Sequence, residues 1–223
     1  MELTHCTGVC EMSEYGYIPE APEQSFGNNK GIFNPKDIYD LTRADKYTNY
    51  GQLELIETQT YSGATANIDF TSIDESTYNV HFMTFNNLQN SGGASADLSV
   101  RFYESGVLET ASVYQVAFQY AGTDGAFGEY RTASASSIFS VAGNYQNAEA
   151  NGYVYFYNLG DSSKYSFSTF HTSSGHPTVT MYSKFGSGVM TQASTVNGIR
   201  LFNDNADNFT AFDVSLYGIK AYS

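Results

Sequence analysis

His5, Cys6 and Cys10 stand close together near the start of the chain, and they are the first group whose side chains could do chemistry. Thiolates and imidazole hold zinc, but a structural zinc site takes four ligands, usually with closer Cys pairing. A C-x3-C with one His supplies three at best. The plain reading is two free thiols, or one local disulfide formed in an oxidising medium. The other reading is a metal site completed between subunits.

Asn203-Asp-Asn-Ala-Asp-Asn208 is the most oxygen-rich stretch, and calcium prefers such carboxylate and amide oxygens. It fails as an EF-hand: counted from Asn203, the sixth position is Asn208 where Gly is needed, and the twelfth is Val214 where Glu is needed. We expect a polar hairpin turn, with calcium left open. Asn208-Phe-Thr210 also matches a glycosylation acceptor.

His171 and His176 flank a Ser-Ser-Gly turn, and His81 falls in a strand. No G-x-S-x-G elbow and no H-E-x-x-H occurs. With 23 acidic residues an accidental carboxylate pair is always available, so a glycosidase cannot be argued from their number. We expect no enzyme, no catalytic residue, no resident metal and no cofactor.

Tyr153, Tyr155 and Tyr157 line one face of a strand, where sugars stack on such rings and protein partners use them as rigid anchors. They are the candidate ligand-binding residues. Against this stands a structural reading: the Tyr face is the sandwich core, Val154 and Phe156 point outward or toward a subunit, and the strand is buried on both sides. The pattern favours that second reading. Phe118, Tyr120 and Phe127, around Gly122-Thr-Asp-Gly125, are a weaker candidate for partner contact.

The elements that must position these residues are strands. From about Leu53 onward apolar and polar residues alternate, most cleanly in Phe212-Asp-Val-Ser-Leu-Tyr217, so one face is buried and the other wet. Strands are expected near 53–61, 65–71, 76–86, 97–103, 111–120, 137–142, 152–158, 164–170, 178–185, 197–203 and 210–220, with turn clusters such as Asn90-Ser-Gly-Gly93 between them. Such spacing predicts an all-β, jelly-roll-like antiparallel sandwich. Tyr (19) and Phe (16) with no Trp give it an aromatic core.

Residues 1–50 read differently. An irregular arm carries both cysteines and leads to one short helix near 35–46, with Asn34 as N-cap and Pro35 at the first helical position. Ile38 and Leu41 give that helix a thin apolar stripe, which must dock on something to be stable. The expected organisation is an attachment arm over 1–50 and a sandwich over 51–223.

Charge narrows the partners. The net charge is −13, and the ten basic residues are scattered. Residues 1–50 carry 8 acidic and 4 basic side chains, and 51–223 carry 15 and 6. Nucleic acid and anionic membranes both call for clustered Lys and Arg, so neither is an expected partner. No apolar run approaches the length of a membrane span, and the first residues lack the pattern of a secretion signal.

Several stretches are familiar together: Gly31-Ile-Phe-Asn-Pro-Lys-Asp-Ile-Tyr-Asp-Leu-Thr42, Gly51-Gln-Leu-Glu-Leu-Ile-Glu-Thr58, Ile68-Asp-Phe-Thr-Ser-Ile-Asp74, Thr77-Tyr78, Phe85-Asn-Asn-Leu88 and the closing Val214-Ser-Leu-Tyr-Gly-Ile219. This layout resembles virion structural proteins of tailed phages of aquatic bacteria, often cyanobacteria, over about residues 31–88 and 197–220. The resemblance implies a β-sandwich displayed on a virion assembled in a bacterial host cytoplasm. The arm would attach it to other virion proteins, with Phe33, Ile38, Tyr39 and Leu41 as partner-binding residues. A tail- or fibre-associated homo-oligomer, a trimer by preference, is expected, with a host glycan as a further partner. A capsid decoration protein is the alternative, and a free carbohydrate-binding module a more distant one.

Overall fold

Phe212, Val214 and Leu216 are all buried, while Asp213, Ser215 and Tyr217 lie half-exposed on the opposite side of their strand. That two-residue period is repeated through most of the sandwich. A computed structural model describes residues 24–25, 28–29, 34–44, 46, 53–92, 96–146, 148–176 and 180–219. The chain divides into two units, Met1–Asn49 and Tyr50–Ser223.

The first unit contains a two-stranded ribbon, β1 (Gln24–Ser25) and β2 (Asn28–Asn29), and the helix α1 (Pro35–Arg43). The Asn34 side chain accepts from the backbone N–H groups of Lys36 and Asp37, both at 2.9 Å. Asp37 returns the bond to the Asn34 N–H, closing a capping box. The helix stops at Arg43 with Ala44 as C-cap, earlier than the 46 expected from sequence. None of its residues is buried. Phe33, His5, Cys6 and Cys10 fall outside the described residues.

The second unit is all-β, as expected, and its two antiparallel sheets form a sandwich-like arrangement. Its strands are β3 (Leu53–Thr65), β4 (Asn67–Phe70), β5 (Val80–Asn90), β6 (Ala96–Glu104), β7 (Val107–Leu108), β8 (Tyr114–Gly122) and β9 (Phe127–Ala135). There follow β10 (Ile138–Asn144), β11 (Ala150–Tyr157), β12 (Tyr165–His176), β13 (Thr180–Ala193), β14 (Val196–Asn203) and β15 (Phe209–Ile219). The larger sheet runs β3-β15-β5-β11-β12-β13-β8-β9; the smaller runs β10-β6-β14-β4, with β7 added on β6.

Between them lies one core, rich in aromatics as the composition implied. Phe70, Phe85, Phe102, Phe156, Phe209 and Tyr114 are its largest fully buried side chains. Each buried Phe stabilises the fold by roughly 1.5–3 kcal/mol. Tyr114 keeps its hydroxyl satisfied there, accepting from the Phe102 N–H at 3.1 Å and donating to the Glu109 carbonyl at 3.2 Å.

β9 was not anticipated. Its residues are exposed or half-exposed on both faces, so it carries no apolar alternation by which to recognise it. Strands β12 and β13 also run well past the expected 164–170 and 178–185. In β12 the usual alternation is partly reversed: Ser166, Ser168, Thr172 and Ser174 are buried, whereas Tyr165 and Phe167 are exposed. Strand β10 packs over β12 and β13 here. A Cβ added at Gly188, which pairs with Ser168, would lie 2.6 Å from Ile138 Cγ2. No side chain fits at Gly188 beneath Ile138.

Candidate functional site

Two aromatic surfaces emerge, one on each face of the larger sheet. On its outer face, Tyr153, Tyr155 and Tyr157 point away from the core, and Val154 and Phe156 fill the core with 1% and 0% exposure. This corrects the reading favoured from sequence, which put the Tyr face inside. Four aromatics and a valine make both faces apolar and do not fix which set is buried; the register against β5 and β12 decides it.

That register also carries the surface sideways. Tyr217, Phe82, Tyr155, Thr169 and Ser187 stand in one row across β15, β5, β11, β12 and β13. Ser215, Thr84, Tyr153, His171 and Phe185 form the next, and Ile219, Val80, Tyr157, Phe167 and Val189 the third. The rings touch in sequence: Phe82 lies 4.7 Å from Tyr155 and 6.2 Å from Tyr217, and Tyr153 lies 6.0 Å from His171. No Asp, Glu, Lys or Arg stands in these fifteen positions. A shallow hollow of about 540 Å³ lies beside Phe167, where Gln115, Ala117, Ser187 and Val189 are joined by Arg131 and Thr132 of β9.

The second surface is concave. Strand β10 packs over β12, β13 and β8, so β9, at the sheet edge beyond β8, is left with an open inner face. There Tyr130 is 43% exposed and stacks on Phe118 with ring centroids 5.5 Å apart. The cleft has a volume of about 390 Å³ and is lined by Phe118, Tyr120, Tyr130, Phe139, Tyr145 and Tyr182 together with Asp97, Ser140 and Lys184. This is within the usual range for small-ligand sites, roughly 300–1,000 Å³.

Its polar groups are held in place. Lys184 Nζ donates to Asp97 Oδ1 at 2.7 Å and to Ser140 Oγ at 2.6 Å, and lies 5.5 Å from the Phe118 ring centre. Ser140 is buried with φ of 60°, a left-handed conformation rare for a residue with a side chain. The Tyr182 hydroxyl donates to Asp124 Oδ2 at 2.7 Å. That bond raises the tyrosine pKa and lowers that of the carboxyl.

The sequence pointed to only part of this cleft. Phe118 and Tyr120 were singled out, but with Phe127, which register places on the outer face beside Ala121. Tyr130, Tyr182, Lys184, Ser140 and Asp97 come from four separate strands and carry no common motif. The remaining candidates are dispersed. His81 is fully buried, and its Nε2 lies 2.7 Å from the Ile73 carbonyl; His171 lies 3.3 Å from Ser183 Oγ. Asn203–Asn208 is a polar turn closed by its own bonds, including Asn205 Nδ2 to Asp207 Oδ2 at 2.7 Å. Among the described residues no group of three or more His, Cys, Asp or Glu is placed to hold a metal ion, and no helix is long and apolar enough to cross a membrane.

The class defined by this geometry is an antiparallel β-sandwich with two aromatic surfaces. Comparison with protein families finds no match, and comparison with curated proteins finds none. Among solved structures, the marine PL-14 alginate lyase from Aplysia kurodai aligns over 73% of this chain and 80% of its own, with 8% identity and a TM-score of 0.28. A likeness that weak carries no argument about fold or activity.

Proposed function

We propose that this chain is a non-enzymatic structural protein of a tailed-phage virion that works by assembly. In this reading the sandwich packs against further copies through the outer face of its larger sheet, and the arm with α1 attaches it to another virion protein.

The observation that carries the assembly role is the charge-free aromatic face running from Tyr217 through Phe82 and Tyr155 to Phe185. Contiguous apolar patches of this kind mark interaction surfaces. In a chain of net charge −13, copies repel one another except where a face carries no charge. A second copy of the chain is therefore the occupant that suits it.

Support for attachment comes from α1. Its Ile38 and Tyr39 are 37% and 63% exposed, and Leu41 is half-buried. A nine-residue helix is marginal in water unless its stripe docks. The virion setting and the tail or fibre position rest on the sequence resemblance alone.

Light scattering tests the interface. The full-length protein is expected to be a homo-oligomer, a trimer by preference, that Phe82→Asp or Tyr155→Asp dissociates without changing its circular dichroism. A monomeric parent protein defeats the interface. Electron microscopy of virions, with a variant lacking residues 1–50 as control, tests the setting. Density on the tail that disappears with the arm supports the proposal; density on the capsid lattice replaces it with a decoration role.

A further inference from the structure

We infer that the concave cleft between β9, β13 and β10 is a binding site for an uncharged saccharide. The inference concerns the sandwich alone and goes beyond the assembly reading, because the cleft opens on the opposite face of the sheet from the aromatic rows.

A pyranose offers two kinds of surface: patches of C–H groups that lie on aromatic rings, and a rim of hydroxyls that each donate and accept. The cleft supplies both. Tyr130 and Tyr182 present rings on its floor, Phe139 on its wall, and Tyr120 extends its hydroxyl over Gly128, where a Cβ would lie 2.5 Å from that oxygen. The absence of side chains at Gly128 and Gly122 leaves these rings uncovered.

The polar ledge beside them is half-used. An ammonium has three N–H donors, and Lys184 spends two on Asp97 and Ser140. Asp97 engages Lys184 through Oδ1, and among the described residues its Oδ2 has no hydrogen-bond partner. A free donor and a free acceptor therefore sit side by side, the arrangement that two neighbouring sugar hydroxyls satisfy. The ledge is also rigid: the Lys184 side chain is 13% exposed, and Ser140 is held left-handed at a register shift in β10. Strain of this kind is retained where surrounding structure enforces it and is concentrated at binding sites.

Charge decides between saccharide classes. Among the lining residues Lys184 alone is cationic, and it is already paired with Asp97; the Glu129 side chain stands by register on the outer face with Phe127 and pairs with Arg131. No unpaired cation is left among the lining residues to receive the carboxylate of a uronate or the sulfate of a sulfated sugar.

Saturation-transfer NMR on the full-length protein provides the test, with dextran, mannan and galactan oligosaccharides as neutral probes and oligoalginate and heparin fragments as anionic ones. Transfer to at least one neutral probe is expected. It should weaken about tenfold in Tyr130→Ala, at an exposed edge strand, and also in Lys184→Gln. It should be unchanged in Tyr153→Ala on the outer face. Transfer confined to the anionic probes, no transfer to any probe, or binding that survives Tyr130→Ala but not Tyr153→Ala overturns the inference. The outcome is independent of oligomeric state, so this inference and the assembly reading fail separately.

Discussion

Lys184 of the larger sheet and Asp97 of the smaller one meet at 2.7 Å, with side chains 13% and 28% exposed, and so tie the two layers together beside the cleft. Exposed ion pairs contribute little, but breaking a largely buried one leaves a charge without its partner. Lys184→Met is expected to destabilise the protein by about 1–3 kcal/mol. The double variant with Asp97→Asn should cost less than the two single changes combined. Urea denaturation of all four proteins checks this, and simple additivity would show that the pair is not coupled.

Gly188 and Ile138 set the spacing between the layers. With the added Cβ 2.6 Å from Ile138 Cγ2, Gly188→Ala forces β13 and β10 apart, at a cost of about 1–3 kcal/mol. Ile138→Ala in the same chain removes the clash. The combined variant should therefore lose clearly less stability than Gly188→Ala and Ile138→Ala summed, as read from denaturation midpoints.

His81 makes stability depend on pH in a stated direction. A carbonyl can only accept, so Nε2 carries the proton in its bond to Ile73, and a second proton on the buried Nδ1 would have no acceptor among the described residues. Burial lowers its pKa; the Ile73 carbonyl, Glu75 and Asp74 act in the opposite sense and are outweighed. An unfolded histidine takes up its proton near pH 6.5. The contribution of His81 is thus complete above about pH 6.5 and is lost as pH falls toward its lowered folded value. Subtracting the pH profile of His81→Asn from that of the parent should leave a decline below about pH 6.5. A flat difference would show that His81 is not held neutral by the fold.

The sandwich should fold without the arm. The buried core runs from Ile68 to Leu216, with every member in Tyr50–Ser223. A protein comprising residues 50–223 is expected to unfold cooperatively at a midpoint close to that of the full chain. Circular dichroism melting of both checks this, and a fragment that loses its cooperative transition would show that the arm takes part in the fold.

Much of the architecture is written in residue types that interact locally. Asn34, Pro35 and Asp37 specify the start of α1 whatever surrounds it, because a cap is made within one turn. Phe212, Val214 and Leu216 specify the buried side of β15, because the sheet period of two leaves a single consistent choice. Where both faces of a strand are apolar or neither is, that local information disappears. In Tyr153–Tyr157 the pattern favoured the wrong face, and β9, with neither face buried, gave no sign of being a strand. The need for glycine at 188 depends on how closely Ile138 approaches it, a contact between residues far apart in the chain. The cleft is likewise the work of tertiary structure: Asp97, Tyr130, Ser140 and Lys184 become neighbours only when β6, β9, β10 and β13 are brought together. The sequence by itself determined an all-β sandwich with an aromatic core and a capped helix before it. Only the packing of one sheet on the other decided which aromatics face solvent and where a ligand can enter, since those outcomes depend on distances between strands that no local pattern encodes.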